Sequence, residues 1–259
     1  MDDNHGLRHT PAVTSLGRAI RSGIIARGRS DAARAESNPD YQRATAAHSE
    51  GNFTVAVEAF REAALRGHAE SQYMLSTMLD AGEGVARDAD EAALWESKAA
   101  EQGHAYAQAN LSFRFYSSEE FEQAFQWCQR AAFSQLPWAQ FHVGLMHRKG
   151  EGTAQSDQEA AHWYRLAAEQ DFTEAQAKLA ELYSLGHGVP RSDVQAAMWY
   201  RRAAELGHAE AQFQLGHLYA VGLGVEPDYI QSRHWTRQAA LQGHDAAMRE
   251  QKRREYRDA

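Results

Sequence analysis

Residues 173–208 read TEAQAKLAELYSLGHGVPRSDVQAAMWYRRAAELGH, and residues 209–244 repeat the pattern as AEAQFQLGHLYAVGLGVEPDYIQSRHWTRQAALQGH. A tryptophan stands at the same place in both stretches, and its spacing extends along the chain to five positions: Trp95, Trp127, Trp163, Trp199 and Trp235. The steps between these lattice tryptophans are 32, 36, 36 and 36 residues, and an Ala-Ala pair begins four residues after each one. Self-similarity at a fixed period in this range is typical of a solenoid of repeated supersecondary units.

Each repeat is predicted to contain two helices joined by a turn. In residues 209–244 the first helix carries apolar residues at a 3.6-residue period: Ala211, Leu215, Leu218 and Tyr219. Four repeats then carry a G-x-G turn, whose glycines permit the positive φ that ends a helix. The second helix ends before a glycine such as Gly207, which Gln135 and Asp171 replace in two repeats. Because one repeat cannot bury its apolar face alone, we expect the lattice tryptophans to be buried between stacked repeats.

The recurring positions carry a resemblance to a known family. The pattern A-x-A-Q-x-x-L-G-x-x-Y-x-x-G-x-G-V, followed by A-x-x-W-Y-x-x-A-A-E-x-G, resembles Sel1-like repeats. The two shorter stretches, 37–68 and 105–136, lack the G-x-G-V turn and resemble ordinary tetratricopeptide repeats. The resemblance implies an all-α fold, a right-handed α–α superhelix of helix pairs.

The same register predicts the domain organisation. We predict six repeats, at residues 37–68, 69–104, 105–136, 137–172, 173–208 and 209–244. Residues 1–36 are an N-terminal extension outside the repeats. Residues 245–259 begin like another first helix and then become strongly polar, which is typical of a capping helix with one face in water.

Composition excludes several classes of function. With 27 Lys and Arg against 35 Asp and Glu, the formal net charge is −8, which argues against a nucleic-acid partner. The single cysteine, Cys128, occupies a predicted core position and agrees with a reducing compartment. The polar N-terminus has no apolar stretch of a signal peptide, and no apolar run reaches the length of a membrane span. We therefore expect a cytoplasmic protein.

The N-terminal extension leaves three alternatives open. Residues 14–27 could form a helix with Leu16, Ile20 and Ile24 on one side and arginines on the remainder. This segment is a flexible tail or a helix docked on the repeats, where it could fill the groove until a partner displaces it. Alternatively, residues 13–29 form a basic amphipathic helix that contacts an acidic partner or an anionic membrane surface. An organelle-targeting peptide is the third alternative, against which Asp2 and Asp3 argue.

No catalytic motif occurs in the chain, so we predict that it is not an enzyme and holds no cofactor or metal. Four histidines recur at the last position of a repeat, where they are predicted to be loop residues: His68, His104, His208 and His244. His142 and His147 are five residues apart, a poor spacing for a shared metal on one helix face.

The resemblance implies that the first helices line a concave groove, with the second, fifth, ninth, twelfth and thirteenth positions of each repeat facing it. Large residues that stacking does not require occupy several of these positions, and we predict that they bind a partner: Tyr73, Tyr106, Phe113, Tyr116, Trp138, Phe141, Arg148, Lys149, Phe213 and His217. Trp138 is the one tryptophan of six outside the lattice, and Trp, Tyr and Arg are the usual anchors of a recognition surface. Arg148 and Lys149 could pair with a carboxylate or phosphate. Alternatively, these aromatic side chains pack among themselves, on a neighbouring first helix or on the N-terminal segment.

These patterns predict a protein–protein interaction scaffold or adaptor that binds a peptide or helix in its groove. The resemblance implies a bacterial regulatory, secretion or assembly pathway. One alternative is a peripheral membrane regulator that docks through a basic N-terminal helix. A hydrolase is a further alternative, which no motif supports.

Overall fold

The computed structural model of the protein describes residues 38–258, with side chains up to residue 253. These residues form thirteen helices and no strand, which confirms the predicted all-α fold class. The helices are α1 Pro39–Ser49, α2 Phe53–Leu65, α3 Ala69–Ala81, α4 Ala89–Glu101, α5 Ala105–Ser117, α6 Phe121–Phe133, α7 Pro137–Lys149, α8 Asp157–Ala168, α9 Thr173–Leu185, α10 Asp193–Glu205, α11 Ala209–Val221, α12 Tyr229–Leu241 and α13 Asp245–Asp258. The predicted basic helix at residues 13–29 lies outside the described residues. None of the thirteen helices combines the length and apolar character that crossing a bilayer requires.

The chain divides into two compact units, Met1–Gln108 and Ala109–Ala259. In the first unit, α1 packs on α2, α2 on α3 and α3 on α4. In the second unit, each helix from α6 to α12 packs on the helix that follows it. Contacts that run between sequence neighbours in this way are those of a solenoid of helix pairs.

Small and aromatic side chains of the second helices make up much of the core. In α10 the Ala203-Ala204 pair is buried, and Trp199 and Tyr200 are only 5% and 7% exposed. Among the lattice tryptophans, Trp95 and Trp163 are equally well buried, but Trp127 and Trp235 are half-exposed. The prediction that all five are interior side chains was therefore wrong for these two. Trp235 is half-exposed because it lines an open cleft.

A buried glutamine at the fourth position of the first helices joins neighbouring helix pairs. In the second unit its Nε2 donates to a last-turn alanine carbonyl of the preceding helix, at 3.3 Å from Gln140, 3.2 Å from Gln176 and 3.1 Å from Gln212. These bonds satisfy carbonyl oxygens that a helix end leaves unpaired.

A second glutamine, at the end of the same helix pair, supports two of these three amides. Gln170 and Gln242 donate to the Oε1 atoms of Gln140 and Gln212, each at 2.8 Å. Leu206 stands at the corresponding position beside Gln176, whose buried Oε1 has no hydrogen-bond partner. The buried amide of Gln176 is therefore only half satisfied.

The second glycine of each G-x-G turn rests on the start of the preceding second helix. At Gly188, where φ is 69°, an added Cβ would lie 2.1 Å from the carbonyl oxygen of Asp157, the first residue of α8. Gly207 also has a positive φ, of 92°, but an added Cβ there would meet nothing within 4 Å. Gly188 is thus required both by its positive φ and by the lack of room for a side chain, whereas Gly207 is required only by its positive φ. In two other repeats the position of Gly207 holds Gln135 and Asp171, and both of these residues have a φ of 59°.

We propose that residues 37–68 are a sixth repeat and that α13 caps the stack. Gly84 approaches Phe53 at the start of α2 as Gly188 approaches the start of α8. In α2, Phe60 and the Ala63-Ala64 pair are buried, although this stretch has no lattice tryptophan. In α13 Ala247 is buried, whereas most of the helix is polar.

The two kinds of glycine should respond differently to a methyl group. Gly188→Ala adds a steric clash to an unfavourable φ and should lower the free energy of unfolding by about 3 kcal/mol. Gly207→Ala adds only the unfavourable φ and should cost about 1 kcal/mol. Urea unfolding followed by circular dichroism measures both, and equal losses in the two variants would contradict the close approach at Gly188.

The half-satisfied amide of Gln176 predicts a stabilising substitution. Leu206→Gln places a donor beside the Gln176 Oε1 and should raise the free energy of unfolding by about 1 kcal/mol. The reciprocal change, Gln242→Leu, leaves the Oε1 of Gln212 unpaired and should lower it by about 1–3 kcal/mol. Leu206 is 55% exposed, so its removal costs little burial. If Leu206→Gln leaves the stability unchanged, these bonds contribute no net free energy.

Candidate functional site

The predicted site residues of the first unit pack against each other. The Tyr73 ring stacks on His104 with 4.4 Å between ring centroids, and on Tyr106 with 6.3 Å. Tyr73 is only 5% exposed and Tyr106 is half-buried. Tyr73 is therefore an interior side chain, and its predicted role as a partner-binding residue is not retained.

In the second unit, α7 presents a row of large side chains. Trp138, Phe141, Leu145 and Arg148 follow one another at spacings of three and four residues, so they share one side of the helix. All four are half-buried. Phe141 packs against Tyr164 and Phe172, with centroids 5.6 and 5.3 Å apart. We call this row the α7 face.

Trp138 is held in place and is only partly covered. Its ring lies on that of His142, one turn further along α7, at a centroid distance of 4.1 Å. It also packs on a buried cluster that includes Ala139 and Val143. Burial lowers the pKa of His142 to about 4, so this imidazole is neutral at pH 7. Sequence reasoning considered His142 only as a metal ligand, although its spacing of four from Trp138 indicates the contact.

Charged residues occupy the end of the α7 face. Arg148 lies 3.4 Å from Glu181 and 3.7 Å from Asp157, yet its buried Nη1 has no hydrogen-bond partner. The buried hydroxyl of Tyr164 also lacks a partner, and burial raises its pKa. A ligand carboxylate at Arg148 would therefore compete with two carboxylates of the protein.

Lys149 is the exposed cation of this region. Its Nζ lies 3.3 Å from both the Tyr116 hydroxyl and a carboxylate oxygen of Glu151. The same tyrosine donates to Glu151 at 2.8 Å. Lys149 is more than half exposed, so a partner carboxylate can reach it.

The remaining predicted residues do not join this group. Phe213 stacks on His244, with 4.8 Å between ring centroids. His217 is exposed, and Phe113 is half-buried. Within the described residues, no group of three or more His, Cys, Asp or Glu could hold a metal ion. Cys128 is buried, as predicted, and burial raises the pKa of its thiol to about 12.

The histidines at the repeat ends have a structural role that sequence reasoning missed. Each is the residue before a first helix or α13, and its Nδ1 accepts a backbone N–H three residues later, at 3.2, 3.2, 3.1 and 3.3 Å for His68, His104, His208 and His244. They are therefore helix N-caps, a position that usually holds Ser, Thr, Asp or Asn. An acceptor at Nδ1 requires that atom to be unprotonated.

Stability should consequently fall in mild acid. Burial lowers the folded-state pKa of His68 and His208 below the ordinary value of 6.5. Their contribution is complete above pH 6.5 and is lost as the pH falls from there toward the folded-state pKa, because the unfolded chain binds more protons. We expect a lower free energy of unfolding by urea at pH 5.5 than at pH 7.5.

The control is the double variant His68→Asn, His208→Asn, which keeps a capping side chain and removes both titrating groups. Its loss of stability between pH 7.5 and 5.5 should be smaller than that of the parent. An identical loss in both proteins would assign the pH dependence to other groups.

Comparisons with known proteins agree with this architecture. A sequence profile of the Sel1 repeat matches residues 69–104, 105–132, 139–172, 173–208 and 209–244. The crystal structure of c5321, a protective antigen present in uropathogenic Escherichia coli strains, is similar with 31% identity and a TM-score of 0.73, over 91% of this chain and 50% of that one. A Sel1 repeat protein from Oxalobacter formigenes is similar with 29% identity and a TM-score of 0.73. The match covers 80% of this chain and 86% of that protein. This chain thus spans half the length of the E. coli antigen. Comparison with curated proteins found no match.

Proposed function

Because this chain belongs to the Sel1 repeat family, we propose that it is a non-catalytic scaffold or adaptor that binds a segment of another protein on its α7 face. Sel1 and tetratricopeptide-like repeats are generally scaffolds for protein interaction. The proposed partner segment is a peptide or helix in the concave groove lined by first helices. We further propose a bacterial regulatory, secretion or assembly pathway in the cytoplasm, since the similar solved structures are of bacterial proteins.

The observation that carries this proposal is that Trp138 is partly exposed and is not needed for stacking of the helix pairs. Stacking of the helix pairs uses the lattice tryptophans, and Trp138 is outside that lattice. The residue is half-buried, and its ring is already oriented by His142 at 4.1 Å. An aromatic anchor that is fixed before binding loses little conformational entropy when a partner covers it, so more of the contact free energy remains as affinity.

The charges of the same face define the chemistry of the partner. Trp138 and Lys149 are eleven residues apart on α7, about 16 Å at the helical rise of 1.5 Å per residue. A partner segment with an apolar side chain on Trp138 and a carboxylate at Lys149 would span this distance with about five extended residues.

Site-specific photo-crosslinking in the native cell tests the proposal. A benzoylphenylalanine at position 149, at the end of α7, removes the lysine contact but leaves the Trp138 anchor, so it should still crosslink a discrete partner. The same residue at position 126, exposed on α6, should not. Trp138→Ala removes the anchor and should reduce the yield from position 149 by about tenfold or more.

The matched control removes an aromatic side chain elsewhere. Phe133, on α6, is 69% exposed, and Phe133→Ala should leave the yield from position 149 unchanged. Thermal unfolding must show that both variants are folded. Equal crosslinking from positions 149 and 126, or a yield that Trp138→Ala does not change, would contradict the proposal.

A further inference from the structure

A second surface of the second unit carries features that stacking does not explain. An open cleft of about 590 Å³ lies beside Trp235, between α10 and the start of α12. This volume falls in the range of roughly 300–1,000 Å³ that is usual for binding pockets. No residue of the α7 face lines the cleft, so the two surfaces are separate.

Other lattice tryptophans of this protein show what normally covers such a ring. In three helix pairs the basic residue three positions after the tryptophan lies over the indole, at 4.2 Å for Lys98 on Trp95, 4.6 Å for Arg130 on Trp127 and 4.7 Å for Arg202 on Trp199. The positive charge is attracted by the electron-rich face of the ring, most strongly for tryptophan.

Trp235 lacks this cation. The residue three positions later is Gln238, and no lysine or arginine of the described residues lies over the Trp235 ring. Trp163 also lacks a cation, with Leu166 at the equivalent position, but the Phe133 ring packs on it at 5.6 Å. Trp235 is instead partly exposed toward the cleft, and the ring of its neighbour His234 makes a T-shaped contact with it at 4.9 Å.

The charges around the cleft favour a cation from outside. Its lining carries the carboxylates of Glu205, Glu226 and Asp228 against one guanidinium, that of Arg201. Arg201 is held within the lining, where it donates to the hydroxyl of Tyr219, another lining residue, at 2.6 Å. Neither Glu205 nor Glu226 forms an ion pair within the part of the chain that the structure describes. Carboxylates beside a partly exposed indole that has no cation over it form a site that attracts positive charge.

We propose that this cleft binds an arginine or lysine side chain of a basic peptide segment on another protein. The bound cation lies over Trp235 as Arg202 lies over Trp199, and Glu205 and Glu226 balance its charge. The site is independent of the α7 face and of the partner proposed there.

The test installs the missing cation in the protein itself. Gln238→Arg places a guanidinium three residues after Trp235, the arrangement that Arg202 already has over Trp199. The probe is a fluorescent peptide with three arginines separated by Gly-Ser, and fluorescence anisotropy with the full-length protein at physiological salt gives its Kd. Gln238→Arg should weaken binding by about tenfold, because its own side chain occupies the site.

A charge-matched control separates the cleft from general attraction to an acidic protein. Gln126→Arg adds the same charge at an exposed position of α6 and should change the Kd by less than about twofold. Gln238→Ala and Trp138→Ala should both retain binding, and the latter distinguishes this site from the α7 face. Equal weakening by Gln126→Arg and Gln238→Arg, or no effect of Gln238→Arg in a folded protein, would overturn the proposal.

One further variant tests where the natural peptide comes from. The N-terminal extension contains Arg18, Arg21, Arg27 and Arg29. Changing all four to glutamine in the full-length protein should leave the Kd of the probe unchanged. Tighter binding would show that the chain's own N-terminal segment competes for the cleft, and would overturn the assignment to another protein.

Discussion

Every helix pair depends on its neighbour to cover surface that it cannot bury alone. The Ala-Ala pairs of the second helices allow the next first helix to come close, and a buried glutamine such as Gln212 then donates to the carbonyl of Ala204. Most of the contact area is apolar, which stabilises the packing of neighbouring helix pairs. The glutamine hydrogen bond is directional, so it also sets the register between them. The approach of Gly188 to α8 adds a second constraint, because no side chain fits there.

Departures from this packing rule are the informative positions for function. A lattice tryptophan is explained by stacking, but Trp138 is not, and it is half-exposed and oriented by His142. Trp235 obeys the lattice but lacks the cation that lies over Trp199, and it borders an acidic cleft instead. Both proposals rest on comparing one helix pair with the others in the same chain, which provides an internal reference for what packing alone requires.

The candidate site was only partly accessible to sequence reasoning. The position of Trp138 outside the lattice is visible in the sequence, and so is the shared side of α7. The burial of Tyr73 is not visible there, because it depends on the ring of His104, which stacks on it from the end of the helix pair. Arg148 reads as a free cation in the sequence, whereas Asp157 and Glu181, from two other helices, lie beside it. Such differences depend on which side chains of neighbouring helices meet.

By itself, the sequence determined the all-α class, the helix pairs and the positions of the turn glycines. These features follow from period, residue size and allowed φ, which are local properties that recur in every repeat. Tertiary structure alone decided which repeated residues are buried and which of the buried glutamine amides are fully hydrogen-bonded. Those outcomes depend on contacts between residues about 30 positions apart, such as Gln242 with Gln212, and one changed neighbour, as at Leu206, alters them without changing the repeat pattern.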